Sequence, residues 1–275
     1  MNLISWNIQW CRGLDGRVDP ARIGRTVRSL CEPDILCFQE VAAGFAALPG
    51  SAGEDQSALL AREFPGYTAH FAWGVDVPGE GCARGRFGNL ILTRLPVQRV
   101  LRHSLPWPAD AGVPSMPRVA IEAVVRAPWG WVSVTTTHLE YYSAKQRAAQ
   151  LGRLCELHAE RLAYAGSTAA QAYKSGPFEP FPQPAASILT GDFNMRPEDP
   201  ILADLQECYV DAWRAAHPDE PHPPSFGLFD PQFSSAPYCC DFVFVSKELE
   251  SRIVSVRIDA QTQASDHQPV IVELV

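Results

Sequence analysis

Ser187-Ile188-Leu189-Thr190-Gly191-Asp192-Phe193-Asn194 is the stretch on which the reading of this chain turns. Ile188 and Leu189 mark a buried strand, Gly191 lets the chain turn tightly, and a carboxylate and an amide follow two residues apart. Such a pair can orient and activate a water. Further on, Ser265-Asp266-His267-Gln268-Pro269 sets a carboxylate beside an imidazole just before the last strand, which suits a metal ligand next to a charged hydrogen-bond donor. Other strands end in similar fashion: Asn7 follows an apolar run, Glu40 ends the strand through Gln39, His138 closes the strand 132–137, and Asp241 opens the strand 242–245. Each is an ordinary strand terminus alone. Six such ends in one chain would be six coincidences if the cause were structural.

Strand-like runs recur at residues 3–8, 35–39, 67–71, 89–93, 119–125, 131–137, 187–190, 242–245, 253–258 and 269–274. Helices are expected from Asp19-Pro20, with Ile23, Val27 and Leu30 on one face, and over Asp55 to Phe64. A third starts at Ser143, where Ser143 and Gln146 fit a capping box and Ala148, Leu151, Cys155 and Leu162 form the apolar stripe. A fourth begins at Asp199-Pro200. Strands and helices mix without a βαβ rhythm, which predicts two mixed sheets packed face to face with helices outside. The expected architecture is α/β, a four-layer α/β/β/α sandwich in one domain over residues 1–275. Two stretches, 166–185 and 218–237, read as long surface loops with interleaved aromatics (Tyr173, Phe178, Phe181; Phe226, Phe229, Phe233) that either receive a substrate group or pack the loop on its own domain.

With 275 residues, 46% of them apolar, the chain can fill a proper core, and no apolar run approaches the roughly 18 residues of a membrane span. The N-terminus shows no secretory pattern, so the expected compartment is the cytoplasm. Eight cysteines without C-x-x-C spacing read as free thiols, which leaves a thiol-dependent enzyme using Cys239 or Cys240 a minor option. Lys and Arg number 23 against 31 Asp and Glu; the net charge of -8 has the wrong sign for a protein held to duplex DNA by many phosphate contacts.

The ordered set Ser-Trp-Asn-Ile (5–8), Phe-Gln-Glu-Val (38–41), Gly-Asn-Leu-Ile-Leu-Thr-Arg (88–94), Thr-Thr-His-Leu-Glu (136–140), Thr-Gly-Asp-Phe-Asn (190–194) and Ser-Asp-His-Gln-Pro-Val (265–270) resembles the endonuclease/exonuclease/phosphatase superfamily, whose fold is similar to that of deoxyribonuclease I. The match extends over nearly the whole chain. The resemblance implies that Glu40 holds a divalent cation, Mg²⁺ with Mn²⁺ as the alternative, helped by Asn7 and by Gln9 or Asp266; oxygen ligands of this kind suit a hard cation. It makes Asp192 the general base, Asn194 the group that fixes Asp192 and the scissile phosphate, and His267 a donor to a non-bridging oxygen, paired with Asp241. A neighbouring carboxylate keeps an imidazole cationic. His138 becomes a second phosphate contact or the leaving-group acid, and Asn89 a polar contact at the cleft. Independently of the resemblance, Arg118, ahead of Arg84 and Arg86, sits near the motif strands as the candidate to meet a phosphate tail.

Three departures from the pattern stand out. Cys239 stands where many relatives carry an arginine two residues before the aspartate that is Asp241 here, no glutamate lies at Arg86-Phe87-Gly88-Asn89, and Gln9 stands where abasic-site nucleases carry an aspartate. The expected activity is metal-dependent hydrolysis of a phosphomonoester or phosphodiester, with a small or single-stranded substrate favoured over duplex DNA and lipid phosphates also open. The competing readings are a nuclease acting on DNA or RNA ends, and a binding module that keeps the fold without the chemistry. No obligate protein partner is called for.

Overall fold

The computed structural model describes residues 1–79, 83–166, 176, 181–229 and 236–275. Among them the strands form two six-stranded sheets. The first contains β1 (Asn2–Asn7), β2 (Ile35–Ala43), β3 (Thr68–Pro78), β4 (Arg84–Thr93), β11 (Ile253–Ile258) and β12 (Val270–Leu274), in the order β11-β12-β1-β2-β4-β3. The second contains β5 (Val97–Ser104), β6 (Val119–Ala127), β7 (Gly130–His138), β8 (Ser187–Asp192), β9 (Tyr209–Asp211) and β10 (Asp241–Ser246), in the order β5-β6-β7-β8-β10-β9.

Strict alternation along the strands separates three apolar layers. On β2, Ile35 and Cys37 face the second sheet while Leu36 and Phe38 face outward; on β10, Val243 and Val245 face inward while Phe242 and Phe244 face outward. The outward residues of the first sheet are covered by α1 (Pro20–Leu30) and α2 (Gln56–Glu63), and those of the second by α3 (Ala144–Ala165) and α4 (Leu202–Cys208). The result is the expected four-layer sandwich.

Each sheet has one parallel pair, β1 with β2 and β7 with β8, among antiparallel neighbours. Parallel neighbours need a crossover connection, which α1 supplies in the first sheet and α3 in the second. Asp19 caps α1, accepting from the Arg22 amide at 3.0 Å, and Asp55 caps α2 in the same way at 3.1 Å.

The sequence reading departs from the structure in several places. β5 escapes periodicity because Arg99, Arg102 and His103 interrupt its apolar residues without a regular spacing, and β9 is only three residues long. The buried face of α3 carries Leu151, Leu154, Leu157 and Arg161, whereas Ala148 and Leu162 are exposed. The face is rotated because the sheet beneath carries Glu122, whose carboxylate lies 3.6 Å from Arg161. Ser143 Oγ does accept from the Gln146 amide, but the Gln146 side chain donates to the Pro108 carbonyl, so only half of the capping box forms. α4 starts three residues after Asp199, whose carboxylate accepts from Ile201 N–H, and a short helix, α5 (Ala212–Ala216), follows, capped by Asp211. Of the loop aromatics, Tyr173, Phe178 and Phe233 lie outside the described residues.

Candidate active site

The C-terminal ends of the two parallel pairs meet across the sandwich: β1 and β2 deliver Asn7 and Glu40, and β7 and β8 deliver His138 and Asp192, which pair in register. Gly191 makes this possible in a way the sequence reading misplaced. It lies within β8 rather than in a turn, at φ 142°, and a Cβ there would sit 1.9 Å from the Thr137 carbonyl oxygen. The segment 265–268 is tied to β1 by Trp6 Nε1 donating to the His267 carbonyl at 2.9 Å and by Ser265 Oγ donating to the Asn7 carbonyl at 2.7 Å. Gln39 bridges the sheets by donating to Thr136 Oγ1 at 2.8 Å.

Asp192 is the hub. Its Oδ2 accepts from Asn7 Nδ2 at 3.0 Å and lies 3.4 Å from His138 Nε2 and 3.6 Å from His267 Nε2, while Oδ1 accepts from the Asn194 amide at 2.9 Å. His267 Nδ1 pairs with Asp241 Oδ2 at 2.9 Å. Burial opposes a charge on His267, but the carboxylates of Asp241, Asp192 and Asp266 outweigh it and hold the imidazole well above its usual pKa. It is an imidazolium at neutral pH, suited to meet an anionic phosphate.

His138 behaves in the opposite way. Burial, reinforced by Arg118, lowers its pKa to about 3, so it is neutral and the acid role expected of it does not fit. Asn194 also differs from expectation: its Nδ2 donates to the Leu139 carbonyl at 2.9 Å and faces His138 Nε2 at 3.0 Å, so its amide hydrogens are committed. What fixes Asp192 is its backbone N–H, reached through a left-handed φ of 52°.

Glu40 and Asp266 form the acidic side of the cleft. Burial, with Asp266 next, raises the Glu40 carboxyl to about 7, and burial raises Asp266 as well. Asn7 Nδ2 donates to Glu40 at 3.3 Å, and Gln9 Nε2 donates to Asp266 at 2.6 Å. Carboxylates crowded until their pKa values rise fit a hard divalent cation, with Glu40 and Asp266 as the charged ligands. The Asn7 oxygen expected beside them accepts one hydrogen bond, from the Gln9 amide at 3.1 Å, and keeps a second lone pair, while its Nδ2 bridges Glu40 and Asp192.

Arg118 reaches the cleft, buried, with Nε on Glu140 at 3.2 Å and Nη1 without a hydrogen-bond partner among the described residues. Glu140 is the last residue of the Thr-Thr-His-Leu-Glu motif, and the sequence reading gave this glutamate no role. Asn89 does not line the cleft: it is buried behind the wall, donating to the Val119 carbonyl at 2.8 Å. Arg84 and Arg86 are held on the β3–β4 hairpin by Asp76, at 2.7 and 3.8 Å. Residues missed by the sequence reading include Trp10 and the exposed pair Tyr141 and Tyr142 at the rim; Phe226, one of the loop aromatics it offered as a substrate or packing contact, lines the cleft with its ring 4.6 Å from that of His267. Phe226 falls within the aromatic-bearing loop 218–237, the one sequence signal that pointed toward it. The cleft, about 320 Å³, adjoins a cavity of about 560 Å³ through Tyr141 and Asn194, where Arg147 and Arg196 lie; Arg196 is stacked 4.2 Å from the Tyr238 ring.

The model of the Endonuclease/Exonuclease/phosphatase family matches residues 4–267. Among solved structures, an endonuclease/exonuclease/phosphatase from Bacteroides vulgatus superposes with a TM-score of 0.73 at 17% identity, covering 100% of this chain and 98% of that one. A mannosyl-6-phosphatase from Bacteroides thetaiotaomicron gives 0.64 at 19% identity, with 100% and 99% covered. Truncated TDP2 from Caenorhabditis elegans also gives 0.64 at 19% identity, with 100% and 97% covered. No curated protein matches the chain.

Proposed function

The chain belongs to the endonuclease/exonuclease/phosphatase family, and from that premise we propose that it is a divalent-cation-dependent phosphoester hydrolase. The observation that carries the reading is the convergence on Asp192 Oδ2 of Asn7, His138 and His267 within 3.6 Å, with Glu40, bonded to the same Asn7, and Asp266 lining the same cleft. Asp192 takes the proton of the attacking water, held in place by Asn7 and the Asn194 amide. His267, kept cationic by Asp241, donates to a non-bridging oxygen as negative charge builds. Arg118, which lines the cleft while anchored on Glu140, supplies a second cationic group, and neutral His138 a polar contact. A Mg²⁺ or Mn²⁺ ion held by Glu40 and Asp266 would neutralise phosphate charge and stabilise the departing oxygen.

A small or single-stranded substrate suits the site best. The cleft would take the phosphate and part of its substituent, and the adjoining cavity the rest. A single-stranded nucleic acid end is favoured as the second reading by Tyr141 and Tyr142, 44% and 63% exposed at the rim, because exposed rings stack on unpaired bases. The test is hydrolysis of bis(p-nitrophenyl) phosphate, p-nitrophenyl phosphate, single-stranded DNA and supercoiled DNA with Mg²⁺, Mn²⁺ or EDTA, by wild type, Asp192→Asn and His267→Ala. Metal-dependent turnover lost in both variants supports the reading. Turnover indifferent to EDTA and to both substitutions overturns it.

A further inference from the structure

Ser225 belongs to no helix or strand, yet it is fully buried beside the Asp241–His267 pair. Its Oγ accepts from the Cys240 and Asp241 amides, at 3.0 and 3.1 Å, and lies 2.7 Å from Asp241 Oδ2. With both lone pairs taken by N–H groups, the hydroxyl hydrogen has one direction left, toward that carboxylate. The oxygen it meets is the one that binds His267 Nδ1, whereas Asp241 Oδ1 is buried without a hydrogen-bond partner among the described residues. The carboxylate is thus held through Oδ2 alone, by His267, by the weak donor Cys240 Sγ at 3.6 Å and by Ser225, whose hydroxyl makes the shortest of the three contacts.

Ser225 is itself pinned on both sides. Its amide donates to the Tyr238 carbonyl at 3.0 Å, and its carbonyl accepts from the Gln268 amide at 2.7 Å, one residue beyond His267. The serine thus joins the two segments that carry the pair.

We propose that Ser225 is a positioning residue for His267, acting through Asp241: it selects the carboxylate rotation that holds the imidazole with Nε2 facing Asp192. The proposal rests on the phosphoester hydrolase reading for its kinetic consequence only. Ser225→Ala is expected to lower kcat about 10-fold, the scale typical of an outer partner of an active-site group, with KM within about 2-fold. Ser225→Thr, which keeps the hydroxyl, restores most of the rate. In an Asp241→Asn background, Ser225→Ala produces no further loss, because the group through which it acts is already altered. A merely structural serine gives a different pattern: additive losses, and rates that follow the unfolding midpoint.

The second measurement needs no turnover. In protein labelled with ¹⁵N-histidine, the His267 Nδ1–H resonance, identified by its loss in Asp241→Asn, shifts or broadens in Ser225→Ala and is retained in Ser225→Thr. An unchanged resonance in Ser225→Ala, or additive kinetics in the double variant, overturns the proposal. If the wild type hydrolyses no phosphoester, the functional reading fails on its own and the resonance alone decides Ser225.

Discussion

Replacing Glu40 with glutamine should make the protein more stable at alkaline pH while removing its response to divalent cations. Burial and the nearby Asp266 raise this carboxyl from an ordinary 4.5 to about 7. The folded state therefore holds the proton more tightly than the unfolded chain, and stability falls as pH rises from about 4.5 to about 7 and stays level above. The gap between those values corresponds to about 3 kcal/mol at most, reached above pH 7, and the cleft-facing exposed fifth of the side chain (19%) trims it. Glutamine carries no charge and still accepts from Asn7. In urea unfolding with EDTA, Glu40→Gln should exceed wild type by about 2 kcal/mol at pH 8 and match it near pH 4. Millimolar Mg²⁺ should then raise the wild-type midpoint and leave that of the variant in place, since a ligand stabilises only the state that binds it. Equal stability of the two proteins at both pH values without cation would refute the reasoning, because it would mean that Glu40 carries no electrostatic penalty.

Asp192→Asn and His267→Ala should each lower kcat by about 10²-fold or more in a Mg²⁺-supported assay, as expected for loss of a general base or of a donor to developing negative charge; rates within about 3-fold of wild type would exclude those roles. Burial works against the Glu122 charge, but hydrogen bonds from His103 and Ser133 and the Arg161 guanidinium outweigh it and hold the carboxyl down at about 2. Its stabilisation is thus complete above about pH 4.5 and lost as pH falls toward 2, so Glu122→Gln should flatten the acid limb of a midpoint-against-pH curve and cost about 3 kcal/mol at pH 7. Gly191→Ala should cost at least about 3 kcal/mol, because its Cβ would meet the Thr137 carbonyl at 1.9 Å in a backbone conformation unsuited to alanine; a wild-type unfolding midpoint would contradict the geometry.

Alternation made the sandwich legible, since Ile35 to Phe38 and Phe242 to Val245 announce two buried faces apiece. It failed where polar groups enter buried layers. Glu122 draws Arg161 inward and rotates α3 away from the stripe through Ala148 and Leu162, and β5 is an edge strand whose arginines blur its period. At the site, strand ends exposed which residues gather, and the structure does bring Asn7, Glu40, His138, Asp192, Asp241 and His267 together. Their division of labour was not legible. That Asn194 works through its backbone, that His138 is uncharged and that Asn89 faces Val119 depend on which atoms meet, and residue type alone does not decide that. Ser225 lay hidden for another reason: a serine in a proline-rich loop looks like loop, and its contacts lie 16 residues away in the chain.

Backbone strain locates the same cleft independently of any motif. Among the described residues, the non-glycine positions with positive φ are Gln9, Trp10, Cys11, Glu40 and Asn194, all at the cleft or next to it. Each such residue costs about 1 to 3 kcal/mol, so folding alone would not collect them in one place. The strain has visible compensation in Gln56, a fully buried residue at the start of α2. Its Nε2 donates to the Trp10 carbonyl at 2.8 Å, and its Oε1 accepts from the Ala42 amide at 3.0 Å. One side chain thereby clamps the turn that carries Gln9 and Trp10 to the irregular stretch of β2 that carries Glu40. Left-handed φ at Glu40 breaks the alternation of β2 where a regular strand would have paired Gln39 and Glu40 with β4, and the register resumes only at Val41. The bulge and the clamp together aim the Glu40 carboxylate into the cleft that Asp192 and Asp266 also line, where a regular strand would have paired it with β4.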